Sequence, residues 1–260
     1  MARGWRGTAP ALPAGMQLEA FALSVTGRRA HNEDAVCARP DLGLFVVADG
    51  MGGYEGGEVA SRIAVTSIEE LVARTAGDHD VTWPYRVDPR RDPIANEIAV
   101  ATRLAGDRIV DQRAGRLAQM GSTVAVLRLA GDHAVIGHVG DSRVYRLRAG
   151  RLDQLTVDHS LYAQLVAAGG ELPAREDFAF RHVVTRALGT ATAEPDLRVE
   201  DVRPGDVYLL CSDGLSEVIE PARIAALLAR APADAGRALV DEAYAGGSRD
   251  NISAVVVRVR

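Results

Sequence analysis

The stretch LFVVADGMGG, residues 44–53, places an unbroken apolar run directly before an Asp-Gly pair. The run from Leu44 to Ala48 is typical of a buried strand, and Asp49-Gly50 is typical of the turn that ends one. A lone Asp-Gly pair at a strand end usually does no more than turn the chain. Any further role for Asp49 therefore depends on whether other predicted strands end in the same way.

Similar acidic segments flank several other predicted strands, and most of them set an Asp beside a Gly or an Asn. They are Gly140-Asp141-Ser142-Arg143, Ser212-Asp213-Gly214 and Asp250-Asn251, with Asn32-Glu33-Asp34 opening one further strand. Carboxylates that gather at one end of a sheet would repel one another and lose water, which raises their pKa values. Divalent cations would remove this penalty, and ligands that are all oxygen favour Mg²⁺ or Mn²⁺. Because no His/Cys set with zinc spacing accompanies them, the pattern indicates a hard-cation site.

The composition is that of an ordinary globular chain: 260 residues, 47% hydrophobic, 25% charged, with a formal net charge of −5. The basic residues are all Arg, without the basic stripe that nucleic-acid binders usually carry. Cys37 and Cys211 lie in apolar stretches and are predicted to be buried free thiols, which favours a reducing compartment. No signal-peptide pattern and no apolar run of about 18 residues is found. We therefore expect a cytoplasmic protein without membrane or nucleic-acid partners.

Hydrophobic periodicity predicts one α+β domain over residues 16–260, after a flexible tail over residues 1–15. Helical spacing begins after Gly57 and stops near Gly77, and Asp92-Pro93 fits the N-cap and first position of a second helix. The other predicted elements are strands at 17–25, 44–48, 123–129, 134–139, 144–148, 152–155, 207–211 and 252–259, and short helices at 160–168, 222–230 and 235–245.

Nine short motifs in a fixed order carry a resemblance to a known family. They are GRRAHNED (27–34), DGMGG (49–53), GEVAS (57–61), GST (121–123), VGDSR (139–143), LTVDHS (155–160), TRALG (185–189), CSDGL (211–215) and DNIS (250–253). In these stretches the chain resembles the metal-dependent protein phosphatases of type 2C, the PPM family, especially the bacterial stand-alone catalytic domains. The resemblance implies a central antiparallel β-sandwich flanked by antiparallel helix pairs, a four-layer α-β-β-α arrangement.

The resemblance also implies a metal-binding role for the acidic residues at one end of the sandwich. Asp49 would bridge two metal ions, with Asp213 and Asp250 on one of them and the backbone carbonyl of Gly50 on the other. Asp141, with help from Asp213, would bind a third and weaker ion.

A second group of residues would act around these ions. Glu33, Asp34 and Asn251 would hold metal-bound waters, and Arg29 would bind the substrate phosphate and act with Asp49 in catalysis. The implied reaction is hydrolysis of phosphoserine and phosphothreonine in proteins by a hydroxide that two or three Mn²⁺ or Mg²⁺ ions activate. The implied partners are phosphorylated proteins, with serine/threonine kinases among them, and the chain is expected to be a monomer.

Two other functions use similar residues. A catalytically weak scaffold of the same fold would bind phosphoproteins, but loss of a metal-binding Asp would signal it, and Asp49, Asp213 and Asp250 are present. A two-metal nuclease or phosphodiesterase would need a basic groove, which is missing. The proton donor for the leaving group stays open, because Tyr54 stands where many bacterial relatives have His. His31 and a metal-bound water are the other candidates.

Several residues near the motifs are assigned supporting roles. His159 follows Asp158 just before a predicted helix, where we expect it to pack against a turn rather than to take part in catalysis. Arg143 and Arg186 are expected to brace the acidic site rather than to touch substrate. Residues 171–190 are irregular and mixed in charge, so we expect a mobile flap that borders the cleft.

Overall fold

The computed structural model describes residue 13 and residues 15–53, 55–77, 82–190 and 193–260. The strands within these residues are β1 (Leu18–Val25), β2 (Asp34–Arg39), β3 (Leu44–Met51), β4 (Gly121–Ser122), β5 (Val124–Ala130), β6 (His133–Val139), β7 (Arg143–Arg148), β8 (Arg151–Gln154), β9 (Asp196–Asp201), β10 (Val207–Cys211) and β11 (Ile252–Val259). The helices are α1 (Gly56–Gly77), α2 (Pro93–Asp111), α3 (Leu161–Ala167), α4 (Asp213–Ser216), α5 (Pro221–Leu228) and α6 (Pro232–Ala245).

The strands form two antiparallel sheets that pack face to face. One sheet has the order β1-β11-β10-β7-β8, and the other has the order β2-β3-β5-β6-β9, with β4 paired to β3. Phe45, Val47, Tyr208 and Leu210 belong to the core between the sheets. Helices α1 and α2 cover the outer face of the β3 sheet, and α5 and α6 cover the other outer face. The predicted α+β fold with four α-β-β-α layers is confirmed.

Strand β3 is apolar for most of its length because both of its faces are covered. Leu44, Val46 and Ala48 pack toward the layer of α1 and α2, whereas Phe45 and Val47 face the opposite sheet. Successive side chains of a strand point to opposite faces, so a strand covered on both sides loses the usual polar alternation. The predicted strand at residues 44–48 is confirmed, and it continues to Met51.

Helix α2 begins where the Asp92-Pro93 pair predicts. The Asp92 side chain accepts hydrogen bonds from the backbone N–H groups of Ile94 (2.8 Å) and Ala95 (3.0 Å), and Pro93 lies in the first turn. These bonds satisfy two of the donors that the first turn of a helix leaves without partners. The N-cap prediction is therefore confirmed, and α2 is anchored over the sheet from its first residue.

Strand β9 and helix α4 are among the elements that the sequence pattern does not predict. Strand β9 lies at the edge of its sheet, and its residues DLRVED are mostly exposed and charged, so they lack an apolar alternation. Helix α4 is only four residues long and starts inside the Ser212-Asp213-Gly214 segment, which reads as a turn. A hydrophobic period can be recognised only when an element contains several buried residues. Strand β9 is mostly exposed and α4 is too short, so neither gives this signal.

Other features of the chain bear on the earlier predictions. Cys37 and Cys211 are both buried and free, as predicted. In the part of the chain that the structure describes, no helix is long and apolar enough to cross a membrane. The predicted tail at residues 1–15 lies outside the described residues except for positions 13 and 15. The predicted boundary with the domain at 16–260 therefore stays a prediction.

Candidate metal centre

A cleft of about 1240 Å³ opens where strands of both sheets end. Seven of the nine predicted site residues line it: Arg29, Glu33, Asp49, Gly50, Asp141, Asp213 and Asp250. The other two, Asp34 and Asn251, are buried, with 8% and 4% of their surface exposed. The structure therefore gathers the acidic segments at one place.

The strand order explains how residues far apart in the chain reach the same cleft. Asp34 opens β2 and lies opposite Asp49 in the register of β2 and β3. Asp213 follows β10, and Asp250 precedes β11, the strand that pairs with β10. Asp141 follows β6, which belongs to the same sheet as β3. Each acidic segment is thus carried by the end of a buried strand.

The backbone of Asp49 is fixed by the neighbouring GST motif. The Asp49 N–H donates to Oγ1 of Thr123 (3.1 Å), and its carbonyl accepts from the Thr123 N–H (2.8 Å). The hydroxyl of Ser122 donates to the same carbonyl (3.1 Å). These bonds leave the Asp49 carboxyl as the group that faces the cleft.

Two glycines of the motifs are required by close backbone packing. A Cβ at Gly50 would overlap the carbonyl oxygen of Gly57, the second residue of α1. A Cβ at Gly214 would overlap the carbonyl oxygen of Asn251. Any side chain at these positions would push apart the segments that carry the acidic residues.

Burial raises the pKa values of the aspartates in the cleft. Burial and the neighbouring Asp213 raise the pKa of Asp141 to about 7. Burial and Asp250 raise the pKa of Asp213 to about 6. The pKa of Asp49 lies well above its ordinary value because the group is buried and faces Asp34 and Asp213. Carboxyl groups held in this way keep protons near neutral pH unless a cation takes their place.

The hydrogen bonds of Asp34 leave one of its two carboxylate oxygens without a partner within the ranges that the structure describes. Its Oδ2 accepts from the hydroxyls of Ser212 (2.9 Å) and Ser253 (2.6 Å), whereas its Oδ1 is buried without a partner among the described residues. Burial raises the pKa of Asp34 to about 7, although both hydroxyls lower it. Oδ1 of Asp213 is also buried without a partner in the described part of the chain. Unpaired carboxylate oxygens beside surplus negative charge fit a hard divalent cation and its waters.

A comparison of the sequence with known families agrees with the resemblance that the order of the motifs suggested. The family Protein phosphatase 2C matches residues 24–238, a span that includes Asp34, Asp49, Asp141 and Asp213. The chain belongs to the protein phosphatase 2C family.

Relatives of this phosphatase 2C chain include bacterial serine/threonine phosphatases. Serine/threonine protein phosphatase PstP of Mycobacterium tuberculosis is 36% identical over 235 residues, which cover 89% of this chain and 43% of that protein. This chain thus spans less than half the length of that relative. Protein phosphatase PhpP of Streptococcus pneumoniae is 32% identical over 245 residues, covering 88% of this chain and 92% of that protein. Among solved structures, the catalytic domain of PstP in complex with two manganese ions has a TM-score of 0.80 and 34% identity, covering 94% of this chain and 99% of that one.

In this phosphatase 2C chain, Asn251 holds the loop that carries Glu33. Its Oδ1 accepts from the N–H of Glu33 (2.8 Å), and its Nδ2 donates to the carbonyls of Thr26 (2.8 Å) and His31 (2.9 Å). The Asn251 amide is thereby engaged with backbone, and its predicted contact with metal-bound water stays a prediction. The Glu33 carboxylate lies close to Gly57 at the N-terminus of α1.

Arg29 is held at the rim of the phosphatase 2C cleft. Its Nη2 donates to Oδ2 of Asp250 (2.6 Å), and its Nε donates to the carbonyl of Arg249 (3.2 Å). About half of its side chain, 54%, stays exposed. A guanidinium so placed can meet a bound anion without leaving its partners.

The predicted flap at residues 171–190 does border the cleft. Arg175, Arg181 and His182 from this segment belong to the lining, and so does Glu217, which sequence reasoning missed. Glu217 lies four residues after Asp213, so a helix places both on the same face. The sequence does not reveal this spacing as meaningful, because the segment of α4 looks like a loop rather than a helix. Glu217 accepts from Arg175 (3.0 Å).

Arg143 and Arg186 each bind an aspartate outside the cleft lining. Arg143 binds Asp158 (2.8 and 2.6 Å), and Arg186 binds Asp196 (2.7 Å). Neither arginine belongs to the cleft lining, and the expectation that they brace the acidic site stays a prediction. Tyr54 lies outside the described residues, and its role as a substitute for His stays a prediction.

Proposed function

We propose that this chain hydrolyses phosphoserine and phosphothreonine in proteins with two or three Mn²⁺ or Mg²⁺ ions held in the acidic cleft. The observation that carries the proposal is the convergence of buried carboxylates with unpaired oxygens in a chain of the phosphatase 2C family. The names of the relatives support the reaction class, and the PstP catalytic domain with two manganese ions supports the choice of metal.

The ligand assignment that we propose is the one the family resemblance implies, and the presence of these residues in the cleft lining supports it. We assign Asp49 as the bridging ligand, with Asp213 and Asp250 on one ion and the Gly50 carbonyl on the other. Burial of Asp49 beside other aspartates supports this, because a carboxylate there needs a cation to stay charged. We assign Asp141 to a third ion, since it lies at the same cleft and its pKa is raised beside Asp213.

Such ions, when bound, neutralise the carboxylates and lower the pKa of water so that a nucleophile is available near neutral pH. Asp34 and Glu33 would accept hydrogen bonds from waters at the site, and the unpaired Oδ1 of Asp34 supports this role. Asn251 would act by holding Glu33 in place.

Arg29 would bind the phosphate group of the substrate. Its planar guanidinium offers donors in the fork that suits two phosphate oxygens, and Asp250 and the Arg249 carbonyl hold it at the cleft rim. The charge that develops on the phosphoryl oxygens during transfer is stabilised by fixed donors of this kind. We therefore assign Arg29 to substrate binding and, with Asp49, to catalysis.

We further propose phosphorylated proteins as substrates, with serine/threonine kinases among them. The relatives that are named protein phosphatases support a protein substrate. The predicted cytoplasmic location and monomeric state stay predictions.

The proposal is tested by phosphate release from a phosphothreonine peptide in Mn²⁺, with EDTA as the metal-free comparison. Asp49→Asn should lose turnover almost completely because the bridging charge is gone. The matched control is Asp132→Asn, the same change at an exposed turn between β5 and β6, which should keep full activity. Binding of the phosphopeptide without release of phosphate by the unaltered chain would favour the scaffold function instead.

A further inference from the structure

The motif LTVDHS, residues 155–160, contributes nothing to the cleft lining, yet it holds the turn that carries Asp141. The backbone N–H of Gly140 donates to Nδ1 of His159 (3.0 Å). In return, the backbone N–H of His159 donates to the Gly140 carbonyl (2.9 Å). His159 therefore binds both polar backbone groups of the residue immediately before Asp141.

Gly140 needs such an external hold because its own conformation is unusual. Its φ is +103°, a region that favours glycine, and a Cβ there would lie 2.6 Å from the Thr123 side chain. A glycine has no side chain with which to pack the turn in place. The hydrogen bond to His159 is therefore the side-chain contact that fixes the Gly140 peptide.

The hydrogen bond also sets the protonation of the His159 ring. An Nδ1 that accepts from an N–H carries no proton, so the proton of the neutral ring is on Nε2. Nε2 lies 3.2 Å from Oδ2 of Asp196, without the alignment of a hydrogen bond. Arg186 in turn holds Asp196 at 2.7 Å. Burial lowers the pKa of His159, which favours the neutral ring that the Gly140 contact requires.

His138, His159 and Asp196 could also be taken for metal ligands, because one ligand atom of each lies within 4.8 Å of the others. The hydrogen bonds argue against a metal there. With Nδ1 of His159 occupied by an N–H donor, a cation on Nε2 would require the ring to lose its last proton. His138 uses its Nε2 on the Val157 carbonyl (2.8 Å) and stacks on His159 with 4.5 Å between ring centroids. The cluster is a packed support for the turn.

The same residue also joins the Asp141 turn to a second segment that reaches the cleft. The carbonyl of His159 accepts from the N–H of Thr185 (2.7 Å), and Ser160 forms a bridge with Val184. Val184 belongs to the cleft lining. His159 thus lies between the Asp141 turn and the wall formed by the end of the predicted flap.

We infer that His159 is a positioning residue whose Nδ1 fixes the Gly140 peptide and so sets Asp141 relative to the wall at residues 183–185. The effect on turnover rests on the proposed function of the cleft, but the effect on the turn does not. His159 does not belong to the cleft lining and acts through Gly140.

Two variants separate the acceptor from the bulk of the ring. His159→Asn places an amide oxygen where Nδ1 lies, so it keeps the acceptor for Gly140. His159→Gln places its polar end near Nε2 and leaves the Gly140 N–H without this partner. His133→Gln is the matched control, because His133 is exposed on β6 and far along the strand from the turn.

The measurements are amide hydrogen exchange at Gly140 in the full chain, Mn²⁺ titration, and kcat and KM for a phosphothreonine peptide. For His159→Gln we expect Gly140 to exchange about five- to tenfold faster and kcat to fall by a similar factor, the equivalent of one lost hydrogen bond. The weakest Mn²⁺ site should lose affinity and KM should change little. His159→Asn and His133→Gln should stay close to the unaltered chain.

Unchanged exchange at Gly140 in His159→Gln would overturn the inference, and so would an equal loss in His159→Asn and His159→Gln. If the Gln variant does not fold, His159→Asn decides alone, since a protected Gly140 amide supports the Nδ1 acceptor and fast exchange refutes it. If the unaltered chain releases no phosphate at all, the proposed function fails, and the exchange rates still decide whether His159 positions the turn.

Discussion

Replacing Asp34 by Asn should stabilise the metal-free protein at alkaline pH, although it removes a charged residue from a family motif. Asn keeps an amide oxygen for the hydroxyls of Ser212 and Ser253, which Oδ2 of Asp34 accepts at 2.9 and 2.6 Å. It removes a buried charge whose Oδ1 has no partner among the described residues. The change therefore keeps the two hydrogen bonds from the serine hydroxyls and removes the buried negative charge.

The size of the effect follows from the pKa of Asp34, which burial raises from 3.8 to about 7. Because this pKa is higher in the folded than in the unfolded state, the stability that the group contributes is fully present below pH 3.8. That stability is lost as pH rises through 7. Linkage gives a penalty of up to about 4 kcal/mol at pH 8, less than about 2 kcal/mol at pH 5 and almost none at pH 3. Asp34→Asn should recover this free energy with the same pH dependence.

The assay is urea unfolding in EDTA at pH 8 and pH 5, with the free energy of unfolding compared between Asp34→Asn and the unaltered chain. The variant should be more stable at pH 8, and the difference should shrink at pH 5. In saturating Mn²⁺ the difference should narrow or reverse, because ions that bind the folded protein stabilise it by mass action.

A matched control has the opposite expected sign. Asp206 is 1% exposed, accepts from Nε and Nη2 of Arg148 at 2.6 Å each, and accepts from the Arg203 N–H at 2.9 Å. Asp206→Asn would remove the buried one of the two carboxylates that pair with Arg148 among the described residues, leaving only the more exposed Asp201, and should destabilise the protein by about 3 kcal/mol. Destabilisation of the metal-free protein by Asp34→Asn at pH 8, as by Asp206→Asn, would contradict this expectation, and so would an effect that does not change with pH.

Three further substitutions test other parts of the cleft. Arg29→Ala should raise KM for a phosphopeptide about tenfold or more without weakening Mn²⁺ binding, since the lost group is a cation beside Asp250; an unchanged KM would remove Arg29 from the phosphate site. Asp141→Ala should abolish one weak Mn²⁺ site and spare two tighter ones in a titration, and loss of all the sites would contradict its assignment. Asn251→Ala should lower the free energy of unfolding by about 3 kcal/mol, because three buried hydrogen bonds are lost; a change below about 1 kcal/mol in urea unfolding would show that the loop is held by other contacts.

The fold was predictable wherever burial leaves a periodic or continuous apolar pattern. Strand β3 is covered on both faces and shows as an apolar run, and α2 shows both a buried stripe and the Asp92 cap. Strand β9 was not predictable because an exposed edge strand has no need of apolar residues. Pairing with β6 makes this segment a strand, and a short stretch of sequence does not reveal which distant segment it pairs with.

The site was predictable in its acidic residues but not in their supports. Asp49, Asp141, Asp213 and Asp250 each stand at a strand end, where the type of residue and its position both signal a role. Glu217 gives no such signal, because it reaches the cleft only through the short helix α4. The acceptor role of His159 depends on a contact across 19 residues with Gly140, which only the fold creates.

The distribution of arginine gives the strongest physical argument that the cleft is built for an exchangeable cation. All 30 basic residues are Arg, so guanidinium groups were available wherever a buried carboxylate needed a partner. Away from the cleft, Glu97 and Asp206 are each 1% exposed, and Arg128 and Arg148 bind them within 3.0 Å. Asp34 lies opposite Asp49 in the register of β2 and β3, and Asp141 lines the cleft. Both are nearly as buried, yet among the described residues neither forms an ion pair with an arginine. A fixed arginine there would satisfy the charge and fill the space where ions and phosphate must enter. Leaving these carboxylates unpaired makes sense if an ion that comes from solution completes the site.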